Sequence, residues 1–152
     1  MKLWADSEAN SPGTMVHATI KEQVEKINRQ VLSRGVRAVN AIRNAELEVL
    51  KGQRSGKKYR KPYTKRATYM ASAPGEAPAR RTGNLRLHWT GQVKKGTAAN
   101  NGIMIIAELE SQEKYSGFLE EGTSKMAARP FVERIKEKAQ IEIKKIYHTP
   151  YT

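Results

Sequence analysis

The chain has 152 residues and a net charge of +13, and 38% of its residues are hydrophobic. This length fits one domain with a single modest core. The sequence contains no cysteine, which excludes disulfides, thiolate zinc sites and cysteine nucleophiles. No apolar run reaches the roughly 20 residues that are needed to cross a bilayer.

The N-terminal part predicts a tail followed by a long helix. Residues 1–14 are polar, contain a Ser-Pro-Gly break and show no signal-peptide pattern, so we expect an N-terminal tail. From Met15 to Val49, apolar residues recur every three or four positions between charged and amide side chains, a pattern typical of an amphipathic helix. This apolar stripe favours core packing against a sheet, and a coiled-coil partner face is the alternative.

Local signals mark the ends of this helix and an interruption. Thr19 and Glu22 have the spacing of a capping box for a helix that starts late. Gly52 is a plausible helix stop. Ser33 and Gly35 interrupt the pattern, which predicts a bend or a break there.

Residues 52–82 form a second feature, which we call the basic arm. Between Lys51 and Arg81, ten basic side chains face one acidic residue, Glu76, a net charge of +9 that leaves +4 for the rest of the chain. The segments KKYRKPY and RATYM predict a loose hairpin. Ordering a segment of this length costs more backbone entropy than the burial of three tyrosines and Met70 returns. We therefore expect the arm to stay mobile until a partner holds it.

Three interpretations of the arm stay open. Cations interleaved with tyrosines suit the phosphates and bases of a nucleic acid. They suit an acidic groove on a protein partner equally well. A solvated loop without a partner is the third interpretation. The arm residues assigned to a partner or assembly interface are Lys57, Lys58, Tyr59, Arg60, Tyr63, Arg66, Tyr69 and Arg81.

The second half of the chain predicts an antiparallel hairpin. Residues 85–95 alternate imperfectly, with Gly91 at a candidate bulge or bend. After a turn over residues 94–102, the following residues predict a well-buried strand through Ile103, Ile105 and Ile106. A two-stranded sheet is marginal alone, so the long helix or a neighbouring subunit has to cover it.

The chain closes with a predicted helix from Pro130 to about Tyr147. Its expected buried side consists of Phe131, Val132, Ile135, Ala139, Ile143 and Ile146. The fold class is therefore α+β: a long N-terminal amphipathic helix, an extended basic arm, a small antiparallel sheet and a C-terminal helix, in one domain of residues 15–152.

The segment before that helix predicts a strand or short helix, then a tight turn. Gly122 tolerates a positive φ and can end one element sharply, while Thr123 or Ser124 can accept backbone N–H bonds. Pro130 suits the first turn of the helix that follows.

Two charged residues flank this turn. Glu120 is expected to cap the turn or to form a salt bridge, with Arg129 as its natural partner across the turn. A more specific form of this prediction is an ion pair between Glu120 of one subunit and Arg129 of a neighbouring subunit.

Catalytic and metal-binding patterns are weak. The three histidines, His17, His88 and His148, are distant in sequence and lack ligand-spaced partners. Glu120 and Glu121 would face opposite sides of a strand, which disfavours a carboxylate pair for acid–base chemistry. The GEAPARRTG stretch lacks the order of a phosphate-binding loop. We therefore predict a protein that is not an enzyme and uses no metal or cofactor.

Three motifs occur in order between Ser72 and Ile146. They are T-G-x-L-R at Thr82, Gly83, Leu85 and Arg86, a tyrosine before E-x-G-T at Tyr115, Glu120, Gly122 and Thr123, and R-P-F at Arg129, Pro130 and Phe131. In order and spacing, this set resembles the tail-completion, or head–tail joining, proteins of long-tailed bacteriophages. Glu121 departs from the pattern, in which an aromatic or apolar residue precedes the glycine.

The resemblance implies a virion structural protein of the phage neck, assembled in the cytoplasm of the host bacterium. It implies a homo-oligomeric ring, a hexamer, between the head connector and the tail tube or terminator proteins, with DNA passing through its centre and non-specific contact with that DNA. The low hydrophobic content agrees with burial that is completed in an oligomer. The alternative class is a basic nucleic-acid-binding module.

Overall fold

The structure, a computed structural model, describes residues 12–99 and 102–152. The elements in chain order are α1 Pro12–Val49, β1 Lys58–Arg60, β2 Thr68–Met70, α2 Asn84–Leu87, β3 Trp89–Thr97, β4 Ile103–Ser111, α3 Ser116–Glu121 and α4 Val132–His148. Each of the two sheets consists of one antiparallel strand pair, β1–β2 and β3–β4. This mixture of helices and small antiparallel sheets confirms the predicted α+β fold.

Helix α1 is longer and more regular than predicted. It includes residues 12–14, which were assigned to the tail, while residues 1–11 of the predicted tail lie outside the described part of the chain. The capping box is wrong, because Thr19 lies inside the helix and its hydroxyl donates to the Met15 carbonyl at 2.9 Å.

The predicted break at Ser33 and Gly35 is also wrong, because α1 continues through both residues. Gly35 is buried where the helix crosses the β3–β4 hairpin. A Cβ at this position would lie 2.7 Å from Ile105 Cγ2 and 3.0 Å from Val93 Cγ1. The glycine therefore permits close packing of helix on sheet.

The β3–β4 hairpin is the predicted antiparallel pair, with a continuous register from Trp89↔Ser111 to Thr97↔Ile103. Gly91 pairs with Leu109 without a bulge, so the bulge prediction is wrong. A Cβ on Gly91 would lie 2.5 Å from Val39 Cγ1, which shows that α1 also passes close to the sheet here.

Helix α1 covers one face of this hairpin, and the other face is open. The prediction of a well-buried strand is therefore wrong in part: Ile106 on the open face is 40% exposed, and Ile103, which shares the face of Ile105, is 48% exposed at the start of β4. Leu85 and Leu87, predicted in the first strand, lie in the short helix α2 instead. The reason is Gly83, whose φ of 104° redirects the chain before β3 begins.

The core lies where α1 meets α4 and the start of β3. Phe131 is 1% exposed, and the Trp89 ring meets it edge-on with centroids 6.2 Å apart. The buried cluster consists of Ala45, Leu50, Ala77, Phe131, Ile135 and Ala139. Single aromatic side chains thus carry much of the buried apolar area.

Helix α4 confirms most of the predicted buried side. Phe131, Ile135, Ala139 and Ile146 are buried, and Ile143 packs partly against the core. Val132 is exposed, contrary to the prediction. The helix begins at Val132, so Pro130 precedes the helix rather than occupying its first turn.

The C-terminal residues hold the middle of α1. Arg34 Nη2 donates to the carbonyl oxygens of Thr149 at 2.5 Å and Pro150 at 2.9 Å. Its guanidinium also lies 3.7 Å from the centre of the Tyr151 ring. Within the described residues, no helix is long and apolar enough to span a membrane.

Candidate functional site

A groove of about 560 Å³ lies between the basic arm, the start of α2 and the turn after α3. We call it the arm groove. Eight of the predicted interface residues line it: Tyr63, Tyr69, Arg81, Gly83, Leu85, Arg86, Tyr115 and Arg129. These residues come from the arm and from all three motifs, so the fold brings together positions that are far apart in sequence.

The arm groove is positively charged. Arg80, Arg81, Arg86 and Arg129 line it, and no acidic side chain belongs to its described lining. Arginine presents a planar fork of N–H donors, which suits carboxylate and phosphate groups. The exposed Arg80 and Arg81 give the groove side chains that can bind anionic groups.

The outer wall of the groove is the β1–β2 hairpin, which confirms the predicted pairing of KKYRKPY with RATYM. Its register pairs Lys58 with Met70, Tyr59 with Tyr69 and Arg60 with Thr68. The rings of Tyr59 and Tyr69 lie 6.1 Å apart between centroids. Aromatic side chains thus pair across the strands.

The loop of this hairpin is its most exposed part. Tyr63 is fully exposed, and its backbone has a φ of 60°. Among the described residues, none of the four hairpin cations assigned to the interface forms an ion pair: Lys57, Lys58, Arg60 and Arg66. Their charge is free to face a partner.

Glu76 ties the two ends of the arm together. Its carboxylate accepts hydrogen bonds from the Ser55 hydroxyl at 2.6 Å, from the Ala73 N–H at 2.9 Å and from the Ser55 N–H at 3.1 Å. These bonds, led by the Ser55 hydroxyl, lower the pKa of Glu76 to about 2. The one acid of the arm is thereby held as a carboxylate.

The C-terminal end of the arm is also fixed to the body. The Arg129 guanidinium donates to the carbonyl and hydroxyl of Ser72 and to the Ala73 carbonyl at 3.2 Å. Arg134 Nη2 donates to the Gly75 carbonyl at 2.7 Å. Ala77 is buried in the core.

The sequence analysis expected the arm to stay mobile until a partner holds it, but these hydrogen bonds attach both of its ends within the chain itself. The comparison of entropy with burial counted only the three tyrosines and Met70. It left out these hydrogen bonds and three buried residues of the arm: Ser72, Ala77 and Pro78. For the β1–β2 hairpin, mobility stays a prediction.

Glu120 caps helix α4. Its Oε2 accepts hydrogen bonds from the Phe131 N–H at 2.8 Å and from the Val132 N–H at 3.2 Å. A carboxylate at a helix N-terminus satisfies free N–H groups and interacts favourably with the helix dipole. Glu120 therefore acts as a cap, but of the start of α4 and not of the turn, and the predicted pairing with Arg129 is wrong because Arg129 donates to Ser72.

The turn after α3 has the predicted chemistry. Gly122 has a φ of 82°, and a Cβ there would lie 2.7 Å from the Ala128 nitrogen. Thr123 Oγ1 accepts from the Lys125 N–H at 3.3 Å. The turn therefore needs glycine for both its conformation and its space.

Two side chains of α1 that the sequence analysis missed hold the T-G-x-L-R motif. Arg43 Nη1 donates to the Arg86 carbonyl at 3.0 Å and forms an ion pair with Glu46. In turn, Arg86 Nε donates to the Leu47 carbonyl at 3.3 Å. In the sequence, the only sign of these contacts was the i, i+3 spacing of Arg43 and Glu46 beside the apolar stripe of α1.

Glu46 is unusually placed for a carboxyl group. It is 0% exposed, and among the described residues its Oε1 has no hydrogen-bond partner. Burial raises the pKa of Glu46 to about 7, against the attraction of Arg43 and Arg86, which lowers it. The part of α1 that holds the T-G-x-L-R motif thus contains a carboxyl group, Glu46, with a pKa near neutral pH.

The remaining predicted interface residues lie outside the groove. Lys57, Lys58, Tyr59, Arg60 and Arg66 belong to the hairpin or its edge, while Glu120, Gly122, Thr123 and Pro130 build the turn. Phe131 is buried against Trp89 and cannot reach a partner in this structure.

Histidine and acidic side chains are the usual metal ligands in a chain without cysteine. In the described ranges, no group of three or more such residues is arranged to hold a metal ion. His88 Nδ1 lies 2.5 Å from Glu113 Oε1 on the surface.

No protein-family model, curated protein or solved structure matches this chain.

Proposed function

We propose that this chain is a structural protein of a long-tailed phage, which forms a ring of identical subunits at the head–tail interface of the virion. The observation that carries the proposal is the arm groove. It unites Arg86, Tyr115 and Arg129, one from each of the three motifs that resemble tail-completion proteins. Each of the three motifs therefore contributes a side chain to one surface of the folded chain, which supports a shared assembly role.

The basic arm is the proposed docking element toward the adjoining ring. The hairpin cations assigned to the interface and the groove residues Arg80 and Arg81 are exposed, and the described lining of the groove contains no acidic side chain. An acidic segment of the head connector or of a tail protein would complement both. Docking would order the hairpin at the moment of joining.

A precise deletion tests the arm. The Ala71 N–H donates to the Lys57 carbonyl at 2.8 Å, which is the bond that closes a two-residue hairpin turn. Replacing Lys58–Met70 by Asn-Gly therefore removes the hairpin and leaves its base intact. We expect a folded chain that still forms rings, and virions in which heads and tails stay separate.

Charge reversal provides the matched control. Lys58→Glu with Arg60→Glu keeps the hairpin and should also prevent joining, whereas Lys144→Glu on the exposed side of α4 should not. Electron micrographs of purified particles count joined virions. Tailed virions formed with the hairpin deleted would show that the arm is no joining element.

A nucleic-acid-binding module is the second candidate. Arg80 and Arg81 line the groove beside the exposed Tyr63 ring, a combination that suits phosphates and stacked bases. This function predicts DNA affinity that falls steeply with salt, by about one power of ten per tenfold salt for each phosphate neutralised. Ring assembly that persists at moderate salt favours the first proposal.

A further inference from the structure

The N-terminal half of α1 carries an apolar stripe that the chain itself does not cover. Every residue from 13 to 27 is exposed. The stripe, which we call the α1 stripe, has side chains that are 43–59% exposed: Met15, Val16, Ile20, Val24 and Ile27. The same apolar pattern continues along α1 to the buried Ala38. Its N-terminal part is exposed to solvent, and its C-terminal part is buried in the core.

The body of the molecule stops short of this half. The last residue, Thr152, reaches only to Gln30, whose amide oxygen accepts from the Thr152 N–H at 3.2 Å. A lone helix of this length is marginal in water, and amphipathic helices are stabilised by covering their apolar face. The α1 stripe therefore needs a partner surface.

The same chain offers such a surface on the open side of the β3–β4 hairpin. Side chains alternate along a strand, so Met104, Ile106, Glu108 and Glu110 share the face that α1 does not cover. Both Met104 and Ile106 are exposed. Glu108 pairs with Lys94 of the opposite strand at 2.6 Å, which confirms that these two lie on that face. We call it the outer hairpin face.

Glu110 on the outer hairpin face carries a charge opposite to that of the lysines beside the α1 stripe. A helix turns by about 100° per residue, which places Lys21 and Lys26 on opposite flanks of the α1 stripe and Glu22 and Glu25 behind it. The outer hairpin face has apolar side chains at one end and, at the other, Glu110 and the ion pair of Glu108 with Lys94. Two α1 stripes facing each other would instead bring lysines together, which is unfavourable.

The dimensions also agree. The exposed half of α1 is roughly 23 Å long at 1.5 Å per residue. The nine-residue strands of the hairpin are about 30 Å long at 3.4 Å per residue. One surface can therefore cover most of the other.

We propose that the α1 stripe of each copy packs on the outer hairpin face of the next copy, so that identical head-to-tail contacts close a ring. A contact between two different surfaces of one chain produces rings when the rotation closes. The inference rests on the proposed ring, and it names the surfaces that build it. Each hairpin is then covered on both faces, by its own α1 and by that of a neighbour.

Cross-linking of the full chain tests this contact. Because the sequence has no cysteine, Val24→Cys and Ile106→Cys introduce the sole thiols. With both changes in one chain and a short bifunctional thiol reagent, we expect a ladder of covalent multimers. Each single variant should stay monomeric on a denaturing gel, as should Lys144→Cys combined with Ile106→Cys.

Electron microscopy of the same samples separates the two proposals. Rings without a ladder would overturn this contact and leave the proposed function standing. A dimer from Val24→Cys alone would overturn it in favour of stripe-to-stripe pairing. A ladder together with rings supports both proposals, a ladder of open filaments supports the contact alone, and the absence of ladder and rings overturns both.

Discussion

Replacing Glu46 by glutamine should remove a pH dependence of stability that the buried carboxyl group imposes. Burial raises its pKa from 4.5 to about 7. Between these values the folded chain holds a proton that the unfolded chain has lost, so wild-type stability falls as pH rises. At about 1.36 kcal/mol per pKa unit, the difference between these two pKa values corresponds to about 3 kcal/mol of unfolding free energy.

Glutamine resembles the protonated acid and does not titrate. Near pH 4 we therefore expect the Glu46→Gln variant to match the wild type, because the wild-type side chain is protonated in both states. Near pH 8 the variant should be more stable by up to about 3 kcal/mol. Glutamine keeps an oxygen that can accept from Arg43, so the link to Arg86 is retained.

Urea unfolding of both proteins across this pH range measures the difference directly. Glu48→Gln is the control, because Glu48 lies on the same helix and its ion pair with Lys138 is largely exposed. Its difference from the wild type should stay within about 1 kcal/mol at every pH. A Glu46→Gln variant that is less stable than the wild type at pH 8 would refute the reasoning.

Three further substitutions test the packing around the site by thermal or urea unfolding. Glu120→Ala removes the cap of α4 and should cost about 0.5–2 kcal/mol, while Glu121→Ala should cost less than about 0.5 kcal/mol; equal costs would contradict the cap. Phe131→Ala should cost about 3–5 kcal/mol, and the exposed Phe118→Ala little. Gly91→Ala places a methyl group 2.5 Å from Val39 Cγ1 and should cost about 1–3 kcal/mol, so a neutral result would argue against close packing of α1 on the hairpin.

The elements with long periodic patterns were predictable from the sequence. The spacing of apolar residues identified α1 and α4, and a short apolar run identified β4. Turn chemistry placed Gly122 correctly, since the required positive φ is a local property. These features depend on neighbours in sequence.

Features that depend on tertiary contacts were not predictable. Gly35 and Gly91 looked like a helix interruption and a bulge, but both are sites where α1 approaches the hairpin. The arm groove depends on the contacts of Arg129 with Ser72 and of Arg43 with the Arg86 carbonyl. Both contacts join residues that are far apart in the chain, so no local sequence pattern predicts them.

The mass and shape of the purified full chain test the central claim most directly. Size-exclusion chromatography with light scattering, followed by negative-stain imaging of the eluted particles, measures both. The account predicts closed hexameric rings that persist at moderate salt. A monomer at all protein concentrations that binds DNA with a steep salt dependence would contradict it.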